Sequence, residues 1–155
     1  MTSRPVNAQT TRTGRAPVQI AALVFGIVFI LVGLLGFIPG ITTNYDALLL
    51  AGSDSAALLL GVFQVSILHN IVHLLFGVAG VVLSRTFSGA RNFLIWGGVV
   101  YFVLWLYGLF AAGDNPANFV PVNNADNWLH LVLAIAMVAL GVLLGRRNTA
   151  TTTRR

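Results

Sequence analysis

There is no cysteine in the chain, so disulfides, thiolate metal sites, iron–sulfur clusters and cysteine nucleophiles are excluded. Lysine and glutamate are missing too: the nine basic residues are all arginine and the four acidic ones all aspartate. With only 8% of residues charged, the chain has no basic face interleaved with aromatics, and nucleic acid is excluded as a partner. Phosphate-binding glycine loops and catalytic triads are also missing. GVAGVV and GLLG resemble dinucleotide fingerprints only superficially, because they lie inside apolar runs and not between a strand and a helix. They are packing glycines, and with no catalytic motif the chain is expected not to be an enzyme.

What is there is apolar. Hydrophobic residues make up 57% of 155, more than a soluble domain hides around one core, so the bilayer is the expected solvent. Residues 1–16, rich in Thr, Arg, Pro and Gly, cannot offset their ordering entropy and are expected to form a disordered tail. Arg4, Arg12 and Arg15 before an apolar run suggest a signal peptide. The run is too long for one, however, and GFIPGIT offers no small-x-small cleavage site, so it reads as an uncleaved first transmembrane helix.

The pattern predicts an all-α bundle of four transmembrane helices, at about 17–38, 58–83, 92–112 and 126–145. Pro17 opens the first and Pro39-Gly40 stops it. Ala22, Gly26 and Gly33 share one stripe, the small-residue seam along which another helix approaches closely. In the first loop DALLLAG reads as a short interfacial turn, and Asp54 stands where the second helix would be capped. SRTFSGAR is a short turn to the third, aromatic helix. The second half of the chain ends in another tail, 146–155. Every Arg falls in the tails or the SRTFSGAR turn, and every Asp in or beside the other two loops. By the positive-inside rule both termini are cytoplasmic, in the plasma membrane of the cell.

Within the second run, LLLGVFQVSILHNIVHLLFGVAGVVL carries His69, Asn70 and His73 where polar groups are expensive. His69 and His73 are four apart, about 40° and ~6 Å on one helical face. That face also holds Val62, Ser66, Phe76, Gly77, Gly80 and Ser84, so it faces protein. On the fourth helix Asn123, Asp126, His130, Ala134, Met137 and Gly141 share a side. Asp126, one turn from His130, is placed to hold that ring as a supporting carboxylate. Tyr101, near the middle of the third helix, needs a hydrogen-bond partner.

His69, Asn70, His73, Tyr101, Asp126 and His130 are therefore the candidate site, and three chemistries fit it. They can be interhelical hydrogen-bond glue in a small interaction or accessory bundle, working as a homo-oligomer or within a larger membrane complex. Alternatively, His69, His73 and His130 can bind haem or a metal ion, though HNIVH lacks the Glu of HExxH and metallopeptidase chemistry is unsupported. Third, His and Tyr101 can hydrogen-bond a quinone or another small molecule. No cofactor is named by the sequence. For Asn and Asp in NNADN the alternative to a site is helix capping and turn formation.

At LLLGVFQVSILHNIVHLLFGVAGVVLSR and NFVPVNNADNWLHLVLAIAMVALG the chain resembles the actinobacterial membrane proteins grouped as domain-of-unknown-function family 4383. The resemblance spans about Pro17 to Gly145. The family's HNxxH and PVNxADNWLH patterns fall on His69, Asn70 and His73, and on Pro121, Asn123, Asp126, Asn127, Trp128 and His130. The resemblance implies topology and assigns no reaction or cofactor.

Overall fold

The computed structural model describes residues 14–113 and 115–146. Most of both expected tails, residues 1–13 and 147–155, and Asp114 lie outside the described residues. The elements are α1 (Pro17–Leu35), β1 (Thr42–Thr43), a 3-10 turn (Tyr45–Ala47), β2 (Leu58–Leu59), β3 (Phe63–Gln64), α2 (Ile67–Leu83), α3 (Phe87–Ala111) and α4 (Asn124–Leu143). Among the described residues α1, α3 and α4 are long and apolar enough to cross a membrane, and α2 is a shorter apolar helix. Its 17 residues span about 25 Å, at the lower end of what a bilayer core needs.

The bundle is built from two antiparallel hairpins, α1–α2 and α3–α4, each closed by glycine. A Cβ at Gly26 would stand 2.7 Å from the Val81 nitrogen and 2.9 Å from the Gly77 carbonyl oxygen. One at Gly98 would stand 2.9 Å from the Ala134 carbonyl oxygen. Backbones this close leave no room for a side chain, and the return is dense van der Waals contact where water has no part in driving helices together. Each hairpin also keys an asparagine against a glycine near the end that carries the sheet: Asn70 on Gly36, and Asn127 on Gly108. The buried stripe of α1 is Val18, Ala22, Gly26, Phe29 and Gly33, and that of α4 runs through Asp126, His130, Ala134, Met137 and Gly141.

The largest departure from the sequence-based expectation is at the start of α2, which lies at Ile67 and not at residue 58. Leu58 to Gln64 instead form two strands of a three-stranded antiparallel sheet in the order β1-β2-β3, with Thr42 opposite Leu59 and Leu58 opposite Gln64. Leu60 and Gly61 both take positive φ, 55° and 71°, as the chain reverses between β2 and β3. Glycine adopts that region freely and leucine does so at a cost. A continuous apolar run reads equally as strand or helix, which is why hydropathy alone overextended α2. Its N-cap is Ser66, whose hydroxyl accepts from the His69 N–H at 3.1 Å, and Asp54 caps no helix.

Three other boundaries move for local reasons. α1 ends at Leu35, where the Thr42 hydroxyl donates to the Leu35 carbonyl at 3.1 Å. α3 begins at Phe87, because Thr86 accepts from the Gly89 N–H at 3.0 Å and converts most of SRTFSGAR into helix. α4 begins at Asn124 behind a capping box in which Asn123 and Asp126 each accept the other's backbone N–H at 3.0 Å. At the opposite end of the bundle, Gln19 of α1 donates to the Ser84 and Arg85 carbonyls at 3.0 and 2.9 Å. That bond pair ties the start of α1 to the end of α2.

A histidine-lined cavity as the candidate functional site

The site is made where the two hairpins meet below the sheet. His69 and His73 leave α2 one turn apart, with ring centroids 4.6 Å from each other, and His130 of α4 lies 6.5 Å from His69. Tyr101 of α3 meets His130 edge-on at 5.3 Å. Phe29 of α1 completes the cluster by stacking on both His73, at 5.9 Å, and Tyr101, at 5.3 Å. Phe29 was not singled out from the sequence, although it continues the Ala22–Gly26–Gly33 stripe and that periodicity points to it.

These rings are close without bonding to one another. The His69 Nδ1 lies 3.2 Å from the Pro121 carbonyl oxygen. A carbonyl only accepts, so that nitrogen carries the proton. Among the described residues the buried Nδ1 atoms of His73 and His130 have no hydrogen-bond partner. Of the interhelical hydrogen bonding expected of the three histidines, one bond to backbone is present among the described residues and two Nδ1 atoms are buried without a partner.

Asp126 and Asn70 stand apart from the ring cluster. The Asp126 carboxylate does not hold His130: its Oδ2 accepts from the backbone N–H of Gln64 at 2.9 Å and of Asn123 at 3.0 Å. It fastens β3 to the start of α4. The Asn70 amide points toward α1 and has no partner for either polar atom among the described residues.

A cavity of about 300 Å³ opens beside the rings, lined by His69, His73, Tyr101 and His130 together with Val72, Val103, Leu104, Tyr107, Phe119, Val120 and Val122. A second, of about 90 Å³, lies on the other side of the histidines under the sheet, where Asp126, Val32, Leu59 and Phe63 join them. The histidines thus form a partition between two hollows. The larger one is almost wholly apolar at its surface, with the unpartnered Nδ1 atoms of His73 and His130 buried within its wall. Among the described residues no three His, Cys, Asp or Glu side chains are grouped so as to hold a metal ion.

Sequence reasoning missed the upper wall of this cavity. The Tyr107 hydroxyl donates to the Ala117 carbonyl. Asn118, fully buried, donates to the Gly113 and Val122 carbonyls at 3.0 and 3.2 Å and accepts from the Val122 N–H at 3.0 Å. The Gly52 N–H donates to the Phe119 carbonyl at 2.7 Å, and Asn123 Nδ2 to that of Val62 at 2.7 Å. The only sequence signal for this stitching was the density of Asn and Pro, which reads as turn chemistry.

A four-helix bundle with membrane-length apolar helices and an interior histidine-lined cavity defines a multi-pass membrane protein. The chain belongs to the family described as Domain of unknown function (DUF4383), whose model matches residues 19–143. No curated protein and no solved structure matches it.

Proposed function

We propose that the protein is a membrane-embedded binding protein for a small apolar molecule that carries a hydrogen-bonding group. The observation that carries this reading is the pair of unpartnered Nδ1 atoms, His73 and His130, on residues that line a cavity of about 300 Å³. A buried polar group without a partner costs about 1–3 kcal/mol, and a ligand carbonyl or hydroxyl removes that cost once either imidazole turns its nitrogen to the cavity surface. The reading is one of binding: among the described residues no carboxylate, amine or aliphatic hydroxyl lines the cavity beside the imidazoles and phenols. Metal ligation by His69, His73 and His130 together is less favoured, because among the described residues no three such side chains are grouped so as to hold an ion.

The test is to purify the protein from membranes in mild detergent, extract it with organic solvent and identify retained small molecules by mass spectrometry. The wild type is expected to retain a neutral lipid in stoichiometric amount and the His73→Leu/His130→Leu variant to lose it. Wild-type protein that retains nothing, and is not stabilised by any neutral apolar probe, would end the reading.

A second reading, association with a further transmembrane helix or a second copy, is favoured by the shallow groove on the outer face of α3 and α4. It is lined by Val99, Phe102, Ile135, Val138 and Ala139 among others, and Val99, Phe102 and Ile135 are exposed apolar side chains there. A monodisperse monomer without a partner in mild detergent would count against it. In either case the described arginines Arg15, Arg85, Arg91 and Arg146 flank the same ends of the helices. This supports placing both termini in the cytoplasm and the sheet outside, in the cell membrane.

A further inference from the structure

We infer that the ligand enters the cavity sideways from the lipid, between α2 and α3 in the outer half of the bilayer, and that its buried head is an uncharged ring. This rests on the binding reading above and adds the route and the chemical class.

The route follows from which walls are fastened. Toward the outer water phase the cavity is roofed by residues 117–122, and nearly every turn of that roof is bonded down. Tyr107 holds Ala117, Gly52 holds Phe119, Asn118 holds Gly113 and Val122, and His69 holds Pro121. Toward the lipid nothing of the kind exists among the described residues. There the cavity is lined by Val72 of α2 and Val103 of α3, which are 46% and 56% exposed on the outside of the bundle. The aromatic contacts that join α2 to α3, Phe76 with Phe93 and with Tyr101, lie below this point. Val72 sits five residues from the start of α2 and Val103 eight from the end of α3, about 8 and 12 Å below the outer ends of the helices. The mouth therefore opens into hydrocarbon.

The class follows from size and charge. About 300 Å³ is at the bottom of the range for small-molecule pockets. It holds a ring with its substituents, so any longer chain must remain outside the mouth among the lipid tails. Nothing that lines the cavity is an arginine or an aspartate. An ionised head would be buried there without a counter-charge, at a cost no hydrogen bond from a neutral imidazole repays. Carbonyl or hydroxyl groups on a ring match what His73, His130 and Tyr101 offer, since neutral imidazole and phenol both donate and accept.

The experiment uses the full chain in lipid nanodiscs and three probes: a benzoquinone with a decyl tail, the same ring without a tail, and oleate. Binding is read by quenching of tryptophan fluorescence in stopped flow. The decyl probe is expected to bind, oleate not to compete with it, and Val72→Trp/Val103→Trp to slow its association by about tenfold. Both positions face lipid, and an unchanged melting temperature of the variant would show that only the mouth was altered. Competition by oleate at equal concentration would overturn the uncharged head. Unchanged association in the double-Trp variant, with faster association on loosening the roof by Asn118→Ala, would overturn the lateral route and leave binding itself intact. Failure of the wild type to bind either quinone, in nanodiscs or in detergent, would instead overturn the binding reading.

Discussion

Gly26 offers the sharpest test of how the bundle is held. A methyl group there would lie 2.7 Å from the Val81 nitrogen and 2.9 Å from the Gly77 carbonyl oxygen, both backbone atoms in the partner helix. No rotamer change relieves a clash with backbone, so α1 and α2 must move apart. Separation loses contacts along the seam, because dispersion falls steeply over half an ångström. Overpacking of this kind costs about 1–3 kcal/mol, set against a gain of about 0.8–1 kcal/mol from replacing glycine in a helix. The net loss is about 0–2 kcal/mol for Gly26→Ala and more for Gly26→Leu and Gly77→Leu. For a chain of this size that is a fall in melting temperature of up to about 8 °C for the alanine variant and a larger one for the leucine variants. The assay is thermal unfolding in a mild detergent, with Val78→Leu as control, since Val78 is 52% exposed on the same helix. Gly77→Leu melting with Val78→Leu would refute the close-approach argument, whatever the absolute values.

Reporter fusions after Arg147 and within residues 115–124 should report opposite sides of the membrane, the first cytoplasmic; both on one side would refute the orientation. Asp126→Ala strands the Gln64 and Asn123 N–H groups and should cost about 2–6 kcal/mol at about 1–3 kcal/mol for each orphaned donor. Asp126→Asn, which keeps an acceptor, should cost clearly less in the same thermal assay, and equal losses would sink the assignment. His73→Leu should leave the ligand-free protein within about 1 kcal/mol of wild type or stabilise it, since an unpartnered polar group is replaced by an apolar one. Its effect should appear as lost stabilisation by the decyl-tailed probe, and a large loss of stability without any probe would mean the imidazole has a structural partner.

Helical periodicity carried most of the fold. Ala22, Gly26 and Gly33 are buried in the α1–α2 seam, and His130, Ala134, Met137 and Gly141 in that of α4, because residues spaced at 3.6 must share a face once a helix forms. Periodicity gave no warning over 58–66. Leu58, Leu59 and Leu60 are apolar in any conformation, and what decides for strand is tertiary: Thr42 and Thr43 across the sheet, and the reversal at Gly61. A capping serine eight residues inside an apolar run was the one local signal. It was outweighed by Asp54, a better-looking cap in the wrong place.

At the site, sequence put residues on faces and left their partners unassigned. The spacing of His69 and His73 required neighbouring rings, but nothing in it named the Pro121 carbonyl, because backbone acceptors are identical in every residue and only the fold decides which one arrives. The same holds for Asp126. One turn from His130 it was a natural support for that ring, yet its carboxylate closes a capping box and a strand end instead. Taking Asp126 away changes what the histidines are. With a carboxylate attached, His130 would be oriented, charge-balanced and internally satisfied, as glue between helices requires. Without one, His130 and His73 keep buried, unpartnered nitrogens on residues that line an apolar hollow, while His69 alone is anchored. Glue works by satisfying its own polar atoms, and two of these three rings do not. The unspent hydrogen-bonding capacity belongs to two residues of the cavity wall, and that is the ground for the binding proposed.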